Sequence, residues 1–184
     1  MRILVTGGAG FIGSHYVRTM LSGGYPGYED AAVTVLDHLT YAGNLANLAP
    51  VWASPRLHFV QGDIADPVLV RSLVPGHDAV INFAAETHVD RSISGAAPFV
   101  TANVAGVQVL LQACLDAGTG PVVQVSTDEV YGSVTSGSWT EQAPRSRIPR
   151  PWKPAPPARP RRPSTTAGAP ALRPRWWPRT APRR

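Results

Sequence analysis

The stretch "RILVTGGAGFIGSH", residues 2–15, decides how this chain folds. Its opening run "RILVT" (2–6) is aliphatic and β-branched, too short for a helix, and reads as a buried strand. Gly7, Gly10 and Gly13 follow at once, and "FIGSHYVRTMLSGG" (11–24) then repeats apolar residues at helical spacing before stopping on two glycines. Strand, glycine loop and helix in immediate succession form a cradle for phosphate. Glycine lets the backbone turn tightly and approach an anion, and the amides and dipole of the helix start favour its negative charge.

The same alternation continues outward from this stretch. "AVTVLD" (32–37), "RLHFVQGD" (56–63), "DAVINFAA" (78–85) and "PVVQVS" (121–126) read as further strands. A helix is predicted to start with Asp66 as its cap and Pro67 in its first turn, and another to run through 98–118 to a glycine stop. Strands alternating with helices predict an α/β fold, a Rossmann-type parallel sheet with helices on both faces. All carboxyl ends of such a sheet lie on one edge, where ligands bind. Polar residues gather at those ends: Asp37, then Asp63 beside Ile64, then Ala84–Thr87, then "STDE" (126–129). Asp37 stands 24 residues past Gly13, where an acid takes the ribose hydroxyls of an adenosine half. Its charge repels a 2′-phosphate, so NAD is favoured over NADP. Asp128 and Glu129 are expected to open onto the same crevice as the glycine loop, the alternative being a surface turn that merely closes the strand.

Composition divides the 184 residues in two. Residues 1–142 hold all 12 acidic and 5 of the 17 basic side chains, a net charge of −7, whereas residues 143–184 carry +12 and no acid. The tail also holds 12 of the 19 prolines, which remove backbone donors and break helices. We therefore expect an NAD-binding domain over 1–142 and a disordered Pro/Arg-rich segment over 143–184. The basic tail with Trp152, Trp176 and Trp177 allows a nucleic-acid reading, which is disfavoured. A single cysteine, Cys114, excludes an internal disulfide, fits a reducing cytoplasm, and reads as a small apolar residue on a helix face. No signal-peptide core is expected at the N-terminus, and no stretch approaches the roughly 20 apolar residues of a membrane span. No metal site is expected either.

Five segments together, "MRILVTGGAGFIGSH", "DHLTYAGNLANL", "QGDI", "NFAAETHVDRSI" and "STDEVYGS", resemble the dTDP-glucose 4,6-dehydratases of the extended short-chain dehydrogenase/reductase superfamily. The resemblance covers residues 1–142. The glycine loop is shared across the superfamily, whereas "AAETHVDRSI", "STDEVYG" and "TYAGN" are narrower. It implies an internal redox cycle on dTDP-glucose with bound NAD: C4 is oxidised, water leaves across C5–C6, and hydride returns to C6. The product is dTDP-4-dehydro-6-deoxy-glucose. By resemblance, Asp128 protonates the departing C6 hydroxyl, Glu129 removes the C5 proton and Thr127 hydrogen-bonds the sugar near C4. Adjacent acids with opposite duties need environments that separate their pKa values. The resemblance also implies NAD contacts from Gly7, Gly10, Phe11, Ile12, Gly13, Asp37, His38, Leu39, Thr40, Asp63, Ile64, Phe83, Ala84, Ala85, Glu86 and Thr87. Thr87 and His88 would face the substrate, within a sugar-nucleotide lining at His88–Ser92, and the assembly would be a homodimer. Two positions depart from the family pattern: His38 stands where Lys is usual, and Ala102 where Thr often precedes Asn103.

The superfamily's base is a Tyr with a Lys four residues on, and this chain has no such pair. Four beyond Tyr16, Tyr25, Tyr28, Tyr41 and Tyr131 stand Met20, Glu29, Ala32, Leu45 and Thr135, and the one lysine is Lys153. The tail reads as a shifted frame of a GC-rich gene. Arg145–Pro149 written as CGC TCC CGA ATT CCC becomes Leu-Pro-Asn-Ser-Pro when two bases are dropped, a run the family has just before its catalytic Tyr. The expectation is thus a dehydratase N-terminal part, truncated and without turnover. The alternative is a non-catalytic NAD or sugar-nucleotide binder.

Overall fold

The computed structural model describes residues 1–132, 137–138 and 140–143; the expected disorder of 143–184 therefore falls almost wholly outside the described residues. The chain divides into two units, Met1–Val130 and Tyr131–Arg184. In the second, the described part includes a turn closed by Ala143 N–H donating to Thr140 C=O at 2.9 Å.

The first unit is built on five parallel strands, β1 (Arg2–Thr6), β2 (Ala32–Asp37), β3 (Leu57–Gln61), β4 (Ala79–Asn82) and β5 (Val122–Gln124), in the order β3-β2-β1-β4-β5. Strand order reverses between β1 and β4, so their carboxyl ends flank the crevice of the sheet. Successive residues of β1 are buried on opposite faces: Ile3 and Val5 join one core with Val17, Met20, Val33, Val35 and Leu48, and Leu4 joins the other with Leu36, Val70, Val80 and Leu110. Both faces are thus covered, which is why the strands read as continuous apolar runs.

Helix α1 (Phe11–Leu21) covers the first face together with a 3-10 turn over Leu45–Val51. Helix α2 (Pro67–Leu73) covers the second, and Asp66 caps it as expected: its Oδ1 accepts from Val68 N–H at 2.9 Å and Leu69 N–H at 3.2 Å. A short α3 (Val89–Ser94) follows β4 and takes in most of the His88–Ser92 stretch.

The last long helix runs Ala97–Ala117 in three parts: α4 (Ala97–Val100), a π-helical segment (Thr101–Gly106) and α5 (Val107–Ala117). Gly118 ends it at φ +63°, as the glycine stop predicts. Cys114 is buried on its core face, and burial pushes its thiol pKa up, the state of a small apolar residue. One expectation is corrected here. Ala97–Ala117 has 21 residues, and an 18-residue window of it has mean hydropathy 1.4, enough by length and composition to cross a membrane. Unbroken apolar runs do not reveal it, because Thr101, Asn103, Gln108 and Gln112 interrupt the apolar residues while Asp116 is its one charged side chain. Leu110, Ala113 and Cys114 pack into the second core.

Candidate functional site

The glycine loop leaves β1 at the point where strand order reverses. Gly7 has φ +68°, and a Cβ placed on it would stand 2.6 Å from Ala84 N and 2.7 Å from the Phe83 carbonyl carbon. Only glycine therefore lets the loop lie against the end of β4. Gly13 is packed equally closely, with Gly7 O across from it. Ser14 N–H makes the first α-helical bond of α1, to Gly10 C=O at 3.0 Å. The amides of Phe11, Ile12 and Gly13 precede that bond and belong to the anion-favouring end of the helix.

Asp37 is 7% exposed and organises the loops around it. Its Oδ2 accepts from Ala9 N–H and its Oδ1 from Leu39 N–H, each at 2.8 Å. Ala9 C=O in turn accepts from Asn44 N–H at 3.1 Å and Asn47 Nδ2 at 2.8 Å. Leu39 sits at φ +55°, a conformation that non-glycine residues seldom hold outside functional loops. An ionised carboxylate has about four acceptor positions, so two remain on Asp37 for a ligand.

A cleft of about 510 Å³ opens over these residues. Of the positions named from sequence, Gly7, Gly10, Asp37, His38 and Thr40 line it from the β1 and β2 loops, and Asp63 and Ile64 from the end of β3. Phe83–Glu86 line it from the end of β4, with Ala97, Pro98, Thr101 and Ala102 behind them. His38 Nδ1 stands 3.6 Å from Asp63 Oδ2 and bridges the β2 and β3 ends. Phe11, Ile12, Gly13 and Leu39 do not line the cleft; Phe11 is 89% and Ile12 61% exposed on the helix start beside it.

A second cleft, about 580 Å³, lies between the ends of β4 and β5 and shares Ala84, Ala85 and Glu86 with the first. Thr87 and Thr127 line it, together with Ser92, Phe99, Asn103 and Gln124–Ser126. His88 stands at the N-cap position of α3 without a side-chain capping bond and lines neither cleft. Asp128 and Glu129 form the start of a 3-10 turn, Asp128–Tyr131, directly after Thr127; their side chains lie outside what the structure describes.

Two residues that sequence reasoning passed over hold these clefts together. Asn82, fully buried, accepts at Oδ1 from Thr6 Oγ1 and from Ala84 N–H at 3.1 Å, and its Nδ2 donates to Gln124 Oε1 at 2.7 Å. The ends of β1, β4 and β5 are thereby tied side by side. Asn103, in the π-helical segment, makes two bonds of 2.8 Å to the main chain of Glu86, accepting from its N–H and donating to its C=O. The signal for Asn82 was an amide inside an otherwise apolar strand; π-helical turns of this kind concentrate at functional sites but leave no periodic trace.

A parallel sheet in this order, with a glycine loop at the reversal and an acid ending β2, defines a Rossmann-type protein. The chain belongs to the GDP-mannose 4,6 dehydratase family, whose model matches residues 4–150. It is 58% identical over 144 residues to the dTDP-glucose 4,6-dehydratase of Streptomyces niveus, covering 78% of this chain and 43% of that one. The crystal structure of DesIV, a dTDP-glucose 4,6-dehydratase from Streptomyces venezuelae with NAD and TYD bound, superposes with TM-score 0.76 at 63% identity, over 79% of this chain and 45% of that one. A UDP-Glc/GlcNAc 4-epimerase from Campylobacter jejuni gives TM-score 0.70 at 29% identity, over 80% and 43%. The chain thus spans less than half the length of these relatives.

Proposed function

We propose that this chain is the dinucleotide-binding part of a dTDP-glucose 4,6-dehydratase, holding NAD in the first cleft and the glucosyl unit of dTDP-glucose in the second. The observation that carries this is the shared wall, Ala84–Glu86, which sets the two clefts side by side at the strand reversal. A dinucleotide laid across that wall has its pyrophosphate at the glycine loop and its adenosine ribose at Asp37. The residues present suit the ligand: a glycine loop that lies against the end of β4 only because Gly7 carries no Cβ, and a carboxylate with free acceptor positions that would repel a 2′-phosphate.

When bound, the nicotinamide would accept a hydride from C4 of the sugar and return it to C6. The chain's own residues supply position and protons. Thr127, on the second cleft, orients the sugar near C4. Asp128 gives a proton to the C6 hydroxyl as it leaves, and Glu129 takes the C5 proton. These roles rest on the match of "STDEVYG" to the family pattern and on the position of the 3-10 turn at the end of β5. A 4-epimerase has no use for such an acid pair, which favours the dehydratase over that relative.

The same reading limits what this polypeptide does alone. None of its five tyrosines has Lys four residues on, so no group in it matches the base that opens the cycle. The chain is then a binder of NAD with negligible turnover. The test is incubation with dTDP-glucose and NAD, followed by the alkaline absorbance of the 4-keto sugar. No product is expected, and steady product formation would overturn the missing-base argument.

A further inference from the structure

Three side chains meet on the outer edge of the first cleft. Tyr41, from the loop after β2, is 51% exposed, and its hydroxyl donates to Glu86 Oε2 at 3.2 Å. The guanidinium carbon of Arg91, on α3, stands 4.0 Å from the centroid of the Tyr41 ring. Tyr41 and Arg91 do not line the cleft, but the neighbours of Tyr41 do: Thr40, Ala42 and Gly43 form one bank, and Phe83–Glu86 form the other. Tyr41 therefore runs from bank to bank. Both of its anchor points are firm. On its own side, Asp37 fixes the loop through Leu39 N–H, and Gly43 sits where a Cβ would be 2.6 Å from Asp37 Oδ1. On the far side, Asn103 grips the main chain of Glu86 by two bonds.

We propose that Tyr41, Glu86 and Arg91 form a latch across the mouth of the cleft, which slows both the entry and the exit of a bound dinucleotide. This rests on the assignment of that cleft to NAD. The ligand is an extended molecule gripped at its pyrophosphate by the glycine loop, and its adenosine half lies under the bank that Tyr41 ties down. It leaves only after the tie opens. Retention suits a cycle in which the hydride removed from a substrate returns to the same substrate, because the dinucleotide never needs replacing between turnovers. A latch differs from a binding contact in one measurable way. Because Tyr41 lies outside the lining, loosening it speeds both directions and leaves the equilibrium nearly unchanged.

The test uses the full chain and NADH as a fluorescent probe, with rates from stopped-flow mixing and from displacement by excess NAD. Tyr41→Phe keeps the ring beneath Arg91 and loses only the bond to Glu86; association and dissociation should each quicken roughly threefold. Tyr41→Ala loses both contacts, and each rate should quicken roughly tenfold, with Kd shifted less than about twofold. Arg91→Gln should fall near Tyr41→Phe, which keeps the test independent of whether Tyr41→Ala folds. Unchanged rates in Tyr41→Phe and Arg91→Gln would overturn the latch, as would a rise in dissociation alone, which marks a direct contact. Failure of the unsubstituted chain to bind NADH would overturn the assignment of the cleft, and the latch with it.

Discussion

Gly7 and Gly23 share a backbone conformation, φ +68° and +75°, but differ in what surrounds them, and alanine at each separates two costs. At Gly23 a Cβ meets nothing within 4 Å, so Gly23→Ala pays only for holding an L-residue in the left-handed region, about 1 kcal/mol. At Gly7 the same cost applies, and the new methyl also lies 2.6 Å from Ala84 N and 2.7 Å from the Phe83 carbonyl carbon. Those are main-chain atoms of the β4 end and cannot swing aside as a side chain would. Ordinary contact requires the two segments to part by roughly 0.8 Å, and overpacking of this kind costs about 1–3 kcal/mol. Gly7→Ala should therefore lose about 2–4 kcal/mol in total, against about 1 for Gly23→Ala, out of the roughly 5–15 kcal/mol that holds a domain folded. Urea denaturation followed by circular dichroism measures both. The parting also moves the glycine loop off the cleft wall, so NAD affinity should collapse in Gly7→Ala and persist in Gly23→Ala. Equal stability losses, with NAD affinity retained in both, would refute the close approach on which the cradle depends.

Asp37→Asn should cut NAD affinity at least tenfold and destabilise the fold by about 2 kcal/mol, because an amide has one acceptor oxygen where Ala9 and Leu39 each present an N–H; calorimetric titration and urea denaturation measure the two effects. Asn82→Val removes the acceptor for the Thr6 hydroxyl and Ala84 N–H in a buried setting and should cost about 2–3 kcal/mol in urea denaturation. His77 predicts an acid weakness. It is buried, its Nε2 lies 2.9 Å from Thr34 Oγ1 and its Nδ1 3.3 Å from Val74 C=O, and burial lowers its pKa from the usual 6.5 against the opposing pull of the Val74 bond. The unfolded chain then binds more protons than the folded one, so stability is full above pH 6.5 and falls as pH drops through and below it. Tm measured from pH 8 to pH 5 should show this slope, and His77→Phe should flatten it.

Much of the fold was legible because its cues are local. The run "RILVT", the glycines behind it, and the Asp66–Pro67 start of α2 each act within a few residues, and β1, β2 and the α2 cap match the expectations to the residue. Strand ends were read one to three residues too long at β3, β4 and β5; Phe83–Ala85 after β4 and Val125 after β5 continue the apolar run past the last ladder pair, and Gly62 and Asp63 after β3 pass directly into the cleft wall. The turn over Leu45–Val51 was missed although Asn44 signals it, its Oδ1 accepting from Ala46 N–H at 2.9 Å. Contacts between distant residues left no such cue. Tyr41 and Glu86 are 45 positions apart, and Asn82 and Gln124 are 42 apart; no spacing rule joins them. Phe11 and Ile12 stand in the first turn of α1 with exposed side chains, so their expected contact with a dinucleotide would come from their main-chain amides. The strand-loop-helix pattern locates a helix start, but which of its side chains face the cleft depends on how the loop is tilted against β4.

The central claim is that one edge of this sheet holds NAD by its pyrophosphate and its adenosine ribose. Isothermal titration of the folded chain with NAD and, separately, with NADP tests it most directly. The account predicts one NAD per chain and binding of NADP at least tenfold weaker, because the Asp37 carboxylate meets the 2′-phosphate. Folded protein that gives no heat with NAD, or that takes NADP equally well, would contradict it.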